Sequence, residues 1–369
     1  MYRFIMTDLK NAEKMLDGYN PSDKSLPGAS AVNGLMARAW LEMASRLEED
    51  GVYINNYADK LTVNQQEETQ YVQLGTPDAT QFYQNAYDCA KAACIGTDFM
   101  DESEWHDRKT GFNTARNSWI WRCRIGTKEQ FPVYYCTFPG QMASEPESGL
   151  AYSYNAFRCI GDYLYSKISK NDWRKSTWIA PADAGLGTQA MVTKYDSNLD
   201  SVKFANLPAY ANLKFRPGEG NTTDYNKWLI GDLPVMRAEE MEFIMLEAEA
   251  HISGYSTALT DLKSFLTDNR YNEGTKYSTT SAVNSLETFM KELMLQKRIE
   301  LWGEGICFFD YKRLNLQVDR SLSTNYESSF QLKSNEGFTA PWMNYYIPTS
   351  ETQRNNSCKA NPDVSGEYN

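Results

Sequence analysis

Apolar residues recur at helical spacing at both ends of this chain and lose that spacing in between. Ile5, Leu9, Ala12 and Leu16 lie four, three and four residues apart, one face of a helix. Lys10, Asn11, Glu13 and Lys14 fill its wet side. In SAVNGLMARAWLEMASRLEE (30–49), the stripe is Met36, Ala39, Trp40, Met43 and Leu47. In QFYQNAYDCAKAAC (81–94) it is Phe82, Ala86, Cys89, Ala90 and Ala93, small enough for a partner helix to come close. Thr76 is the expected N-cap of that helix, with Pro77 at its first position. Helical spacing returns at about 234, where Met241, Ile244, Met245, Ala248 and Ile252 align. A break at Gly254 and a second stripe of Ala258, Leu262, Phe265 and Leu266 make an αα-hairpin. Another helix is expected from Asn284, with Glu287 completing a capping box, to Gly303.

From 97 to 232 no helical face persists, and Pro, Gly, Ser and Asn are frequent. FPVYYCTF (131–138) alternates as a short strand would. The expected fold is therefore mostly α: tetratricopeptide-like helical hairpins with a large irregular insert. Its parts are a helical stretch at 1–96, an insert at 97–232 holding the ligand-binding region, and a helical stretch at 233–369 with a C-terminal tail. Residues 1–95 and 234–313 should pack as one helical unit. In the tail, Phe338, Trp342, Tyr345, Tyr346 and Ile347 are the expected apolar anchors.

Of 369 residues, 37 are Lys or Arg and 48 Asp or Glu, a net charge of −11 that weighs against a nucleic-acid partner. No window reaches the length of apolar sequence that spans a bilayer. The start, MYRFIMTDLKNAEKML, reads as an amphipathic helix and not as a signal peptide. The seven Cys are odd in number and hold no Cys-x-x-Cys, so buried thiols are expected instead of a disulfide scaffold or a zinc site. No phosphate loop, dinucleotide fingerprint or nucleophile elbow is present. His106 beside Glu104, and His251 four residues after Glu247, lack the His-Glu-x-x-His arrangement of a zinc protease. No metal and no cofactor are expected.

Three stretches are more specific than periodicity. They are PVMRAEEMEFIMLEAEA (234–250), LMLQKRIELWGEGICFFDYKRLN (293–315) and YYIPTSETQRNNSCKANPD (345–363). Together they resemble the SusD/RagB family of Bacteroidetes outer-membrane nutrient-binding proteins. Pro234, Arg237, Glu240, Ala248, Glu249 and Ala250 match the first family pattern. Glu300, Leu301, Glu304, Gly305, Asp310 and Arg313 match the second, with Cys307 where Arg is usual and Gln296 where Glu is common. Ile347-Pro348, Glu351 and Asn361-Pro362 resemble the closing signature, and Asp8, Leu9 and Ala12 the "D-L-x-x-A" helix. In full-length members that helix lies well inside the chain, so the resemblance implies that this chain lacks the family's N-terminal part, lipoprotein leader included. It also implies a non-enzymatic protein held at the cell outer membrane only by a lipid anchor, which delivers an oligosaccharide, a polysaccharide or a glycopeptide to a TonB-dependent, SusC-like transporter. Two alternatives stay open: a polysaccharide-acting glycoside hydrolase, and a helical scaffold for a protein partner without glycan binding.

Glu300 and Glu304 are four residues apart and would share a helix face. Paired carboxylates suit glycoside hydrolysis, but Lys297, Arg298, Lys312 and Arg313 are close enough in sequence to make them ion pairs. No catalytic residue is therefore assigned. Among the six tryptophans of the insert are Trp105, Trp119, Trp121, Trp173 and Trp178. An indole covers the C–H face of a sugar while neighbouring Asn, Asp and Arg bond its hydroxyls, so these five are the candidate ligand-binding residues. Trp119 and Trp121 would share one face of an extended strand and form a platform.

Overall fold

We describe a computed structural model of the chain at residues 2–50, 78–107, 110–125, 142, 158–184, 208–215, 231–337 and 340–358. Thr76, Pro77, the 131–138 alternation, Phe338 and Asn361-Pro362 lie outside the described residues.

Helices α1 (Tyr2–Met15), α2 (Ala29–Asp50) and α3 (Ala79–Ala93) share one core with α6 (Ala238–Ile252). Met36, Met43, Phe82, Ala86, Ala90, Met241, Ile244 and Ala248 interlock there, so the two ends of the sequence meet across the insert. Small residues on α3 allow the close approach. Helix α1 is an edge helix: Met6 is its one fully buried residue, and Ile5, expected inside, is 36% exposed. The cap of α3 is Asp78, whose carboxylate accepts from the Thr80 and Gln81 amides at 3.0 and 3.4 Å.

Helix α6 is buried on both sides. Its Phe243, Leu246 and Ala250 enter a second core with α7 (Tyr255–Arg270) and α8 (Leu286–Glu300), built on Ala258, Leu262, Leu266, Phe289 and Leu293. Gly254, at φ +97°, turns the chain from α6 into α7. The capping box of α8 uses Ser285 and Thr288, one residue past the expected Asn284–Glu287 pair. The helix ends at Glu300, so Glu304 sits in the following turn and not on the same helix face. That turn needs Gly303, which has φ +77° and would place a Cβ 2.5 Å from the Phe215 ring.

Residues 233–237, expected as the first turn of α6, form a strand. This β2 (Leu233–Arg237) pairs antiparallel with β1 (Trp119–Cys123). Pro234 is tolerated because the ribbon has only two strands. The ribbon and the Ala238 amide, bonded to Ser118 carbonyl at 2.7 Å, fasten the insert to α6. The rest of the described insert is short: α4 (Glu102–His106), α5 (Asp162–Lys167) and 3-10 turns at Trp173–Thr177 and Pro181–Asp183. After α9 (Ile306–Arg313) the chain makes a hairpin through the Asp319–Lys333 bridge and ends its described part near α10 (Thr349–Arg354). Tyr345 and Tyr346, expected as anchors, are 90% and 60% exposed. Cys123, expected inside, is exposed. Among the described residues no helix is long and apolar enough to cross a membrane.

Candidate functional site

The motif residues converge on a buried ion lattice where insert and scaffold meet. Glu300, with no exposed surface, accepts from Arg174 Nη1 at 2.8 Å, Arg237 Nη1 at 3.0 Å, and Arg270 Nε and Nη2 at 2.9 and 3.0 Å. Glu304 accepts from Arg237 Nε at 2.9 Å and Lys214 Nζ at 2.6 Å. Glu239 accepts from the Met100 amide at 2.7 Å and from Arg270 at 3.2 Å, and Asp172 from Arg174 at 2.7 Å. Four bases thus face four carboxylates, which is what a dry interior tolerates. A second knot joins Arg313 to Glu247, at 2.5 and 2.6 Å, and to Asp310, which also holds Lys297. Arg38 of α2 clasps Glu240 at 2.6 Å through two nitrogens.

The lattice excludes Glu300 and Glu304 as an acid–base pair. Burial works against both charges, but the surrounding bases outweigh it: Arg270, Arg237 and Arg174 hold Glu300 well below the ordinary carboxylate value, and Arg237 and Lys214 hold Glu304 below it. Neither carboxylate is open to a substrate. Their partners are Arg174, Arg237, Arg270 and Lys214, remote in sequence, and not the neighbouring Lys297, Arg298, Lys312 and Arg313. Gln296, where Glu is common, gives its oxygen to Arg174 at 2.9 Å.

Four of the five candidate tryptophans are interior. Trp105, Trp119, Trp173 and Trp178 are between 0% and 7% exposed. Trp105 packs edge-on against Phe112 and Trp173, bonds Thr177 Oγ1 through Nε1 at 2.9 Å, and lies 5.0 Å beneath Lys214 Nζ. Trp173 lies 5.2 Å beneath the Arg270 guanidinium. Trp119 joins the Trp105 cluster, and Trp178 packs with Ile160, Leu164 and Ile299. Trp121 is half-buried and leans on the α2–α6 core. The segment is extended as expected, but its register shifts on both sides of Trp121, so Trp119 and Trp121 enter different clusters. No shared platform forms, because Trp119 is buried and Trp121 turns against a different cluster.

The histidines are also engaged. His106 Nε2 lies 3.3 Å from Trp173 carbonyl, and His251 stacks on Tyr83 while its Nδ1 lies 3.1 Å from Glu48. Among the described residues no group of His, Cys, Asp and Glu is arranged to hold a metal ion.

Open aromatic rings occur elsewhere, where α5 meets the tip of the 319–333 hairpin. Tyr163 and Tyr326 are each 37% exposed, and Phe330 is 54%. Gly161 lets the hairpin dock, since a Cβ there would lie 2.8 Å from Ser323 Oγ and 3.5 Å from the Tyr326 ring. The Asp162 amide donates to Asn325 Oδ1 at 3.0 Å, and the Thr324 amide to the Asp162 carboxylate at 3.0 Å. Thr324 Oγ1 donates to the same carboxylate. Partial burial opposes the Asp162 charge, yet these bonds hold its pKa below the ordinary value. Tyrosine number gave no pointer to this pair among 24, and the two partners are far apart in sequence.

Fold and site together define a mostly helical, tetratricopeptide-like scaffold tied together by a buried Arg–carboxylate lattice. The family model of the SusD family matches residues 153–364, more than half of the chain, and the chain belongs to that family. It is similar in fold to a SusD-like carbohydrate binding protein from Bacteroides vulgatus, at 19% identity and a TM-score of 0.59 over 96% of this chain and 64% of that one. It is similar also to a SusD superfamily protein from Bacteroides thetaiotaomicron, at 17% identity and 0.61 over 98% and 66%. NanU of B. fragilis aligns at 13% identity and 0.54 over 100% and 69%. The chain therefore spans just under two thirds of the first two structures. No curated protein matches it.

Proposed function

We propose that this protein binds a glycan without turning it over. The observation that carries the reading is the SusD family match over 153–364. It is supported by the description of one fold neighbour as a carbohydrate binding protein and of another as a putative sugar binding protein. The chemistry agrees: the two motif carboxylates are locked in ion pairs, whereas tyrosine rings stand open at the surface beside amide and hydroxyl groups. In this reading Tyr163 of α5 and Tyr326 of the 319–333 hairpin make the stacking contacts, and the buried tryptophans hold the surrounding segments in shape. In the cell the protein is a lipid-anchored outer-membrane component that passes its ligand to a TonB-dependent, SusC-like transporter.

Affinity electrophoresis through polysaccharide gels, with a reducing-sugar assay alongside, tests the proposal. Retardation in at least one glycan gel without release of reducing ends is expected. Tyr163→Ala with Tyr326→Ala should weaken binding by roughly 1–3 kcal/mol, by analogy with other aromatic platforms, with a native circular dichroism spectrum. Turnover would reverse the binding reading, and unchanged retardation of the double variant would remove the tyrosines from the site.

A further inference from the structure

We propose that the surface where α5 meets the 319–333 hairpin recognises the carboxylate of an acidic sugar, through Lys167 and Arg320; this rests on the glycan-binding reading above. Lys167 Nζ lies 4.8 Å from the centre of the Tyr163 ring, and the Arg320 guanidinium 5.7 Å from that of Tyr326. Both rings are exposed and belong to segments in direct contact, with the Tyr163 amide 3.4 Å from Ser323 Oγ.

The way these two bases are held sets them apart from the interior ones. Each base of the buried lattice is fixed by carboxylates that also neutralise it. Lys167 and Arg320 have no carboxylate within ion-pair distance among the described residues. A tyrosine face restrains a cation through its quadrupole and leaves both the charge and the N–H donors unspent. Such a base is positioned in advance for an anion. The nearby acids are committed elsewhere. Asp162 is bonded by Thr324 and by the Tyr163 amide, and Asp319 by Lys333 at 3.0 Å and by Ser321. Glu327, beside Tyr326, forms no ion pair with either base. A sugar carboxylate suits such a base because it offers acceptor oxygens to the unspent N–H donors, while the sugar's C–H groups and hydroxyls suit tyrosine rings and their O–H groups.

Calorimetric titration of the full chain with an oligogalacturonide and a hyaluronan fragment, each against its carboxyl methyl ester, tests this. The ester keeps the sugar's shape and removes its charge. At low salt at least one acid should bind roughly tenfold more tightly than its ester, and salt should shrink the difference. Lys167→Met with Arg320→Met should abolish the acid preference, and Lys167→Arg with Arg320→Lys should retain it, both with native melting curves. No preference for either acid, or a preference that survives the methionine variant, overturns the inference. If neutral glycans bind as well as acids, the inference fails while the glycan-binding reading stands. If nothing binds, neutral polysaccharides included, both fail.

Discussion

Glu300→Gln should destabilise the protein more than any other single carboxyl-to-amide change. Four charge-assisted hydrogen bonds from Arg174, Arg237 and Arg270 end on this carboxylate, in a site with no solvent. The amide keeps one acceptor oxygen and turns an NH₂ toward guanidinium donors. It also leaves four buried bases facing three carboxylates. Removing one partner of a buried pair costs about 3–5 kcal/mol. With an unfolding entropy of about 2.1 cal/mol/K per residue, 369 residues give roughly 0.8 kcal/mol/K, so the loss corresponds to roughly 4–6 °C in Tm. Scanning calorimetry at neutral pH reads it directly. The sign of the pH dependence gives a second check. Burial raises and the three arginines lower the Glu300 pKa, and the net effect places it well below the ordinary 4.5. The stabilisation is therefore complete above about pH 4.5 and is lost as the pH falls through the lower, folded-state value. Wild type and variant should converge on acidification. A variant that melts within about 1 °C of wild type at neutral pH would refute the reasoning, as would a gap unchanged by acid.

The exposed Glu287–Lys291 pair supplies the contrast, and Glu287→Gln should leave the melting curve unchanged. Glu242 behaves oppositely to Glu300: burial first, then Asp261 and Glu249, push its pKa up to about 7. The folded state then holds a proton that the unfolded state has released, so stability falls between about pH 4.5 and 7, and Glu242→Gln should raise stability at pH 8 by on the order of 1–3 kcal/mol and change little at pH 4. Trp119→Ala should cost about 3–5 kcal/mol by opening a cavity in the Trp105 cluster, seen as a lower denaturation midpoint with unchanged glycan affinity per folded molecule. Gly303→Ala should destabilise by roughly 1–2 kcal/mol or more, because it adds a Cβ in the left-handed region and against the Phe215 ring; a neutral result would show that the turn relaxes freely.

Periodicity alone determined where the helices of the scaffold lie, because burial of an apolar stripe is a local consequence of 3.6 residues per turn. Met36, Met43, Phe82 and Ile244 are inside for that reason. The motif residues Arg237, Glu240, Glu300, Glu304, Asp310 and Arg313 were also legible as a family pattern. Which acid meets which base was not legible. Arg174 reaches Glu300 across 126 positions and Lys214 reaches Glu304 across 90, so only the fold brings them within hydrogen-bond distance. The tryptophans show the same limit. An indole suits a sugar face and a protein core equally well, and composition cannot say which surface covers it. Register shifts around Trp121 and the docking of α5 on α8 decided that Trp119 and Trp178 are interior and that Trp121 leans on another cluster. The open tyrosines were decided by tertiary structure as well: the segments of Tyr163 and Tyr326 come together only because Gly161 leaves room for a hairpin that begins more than 150 residues later.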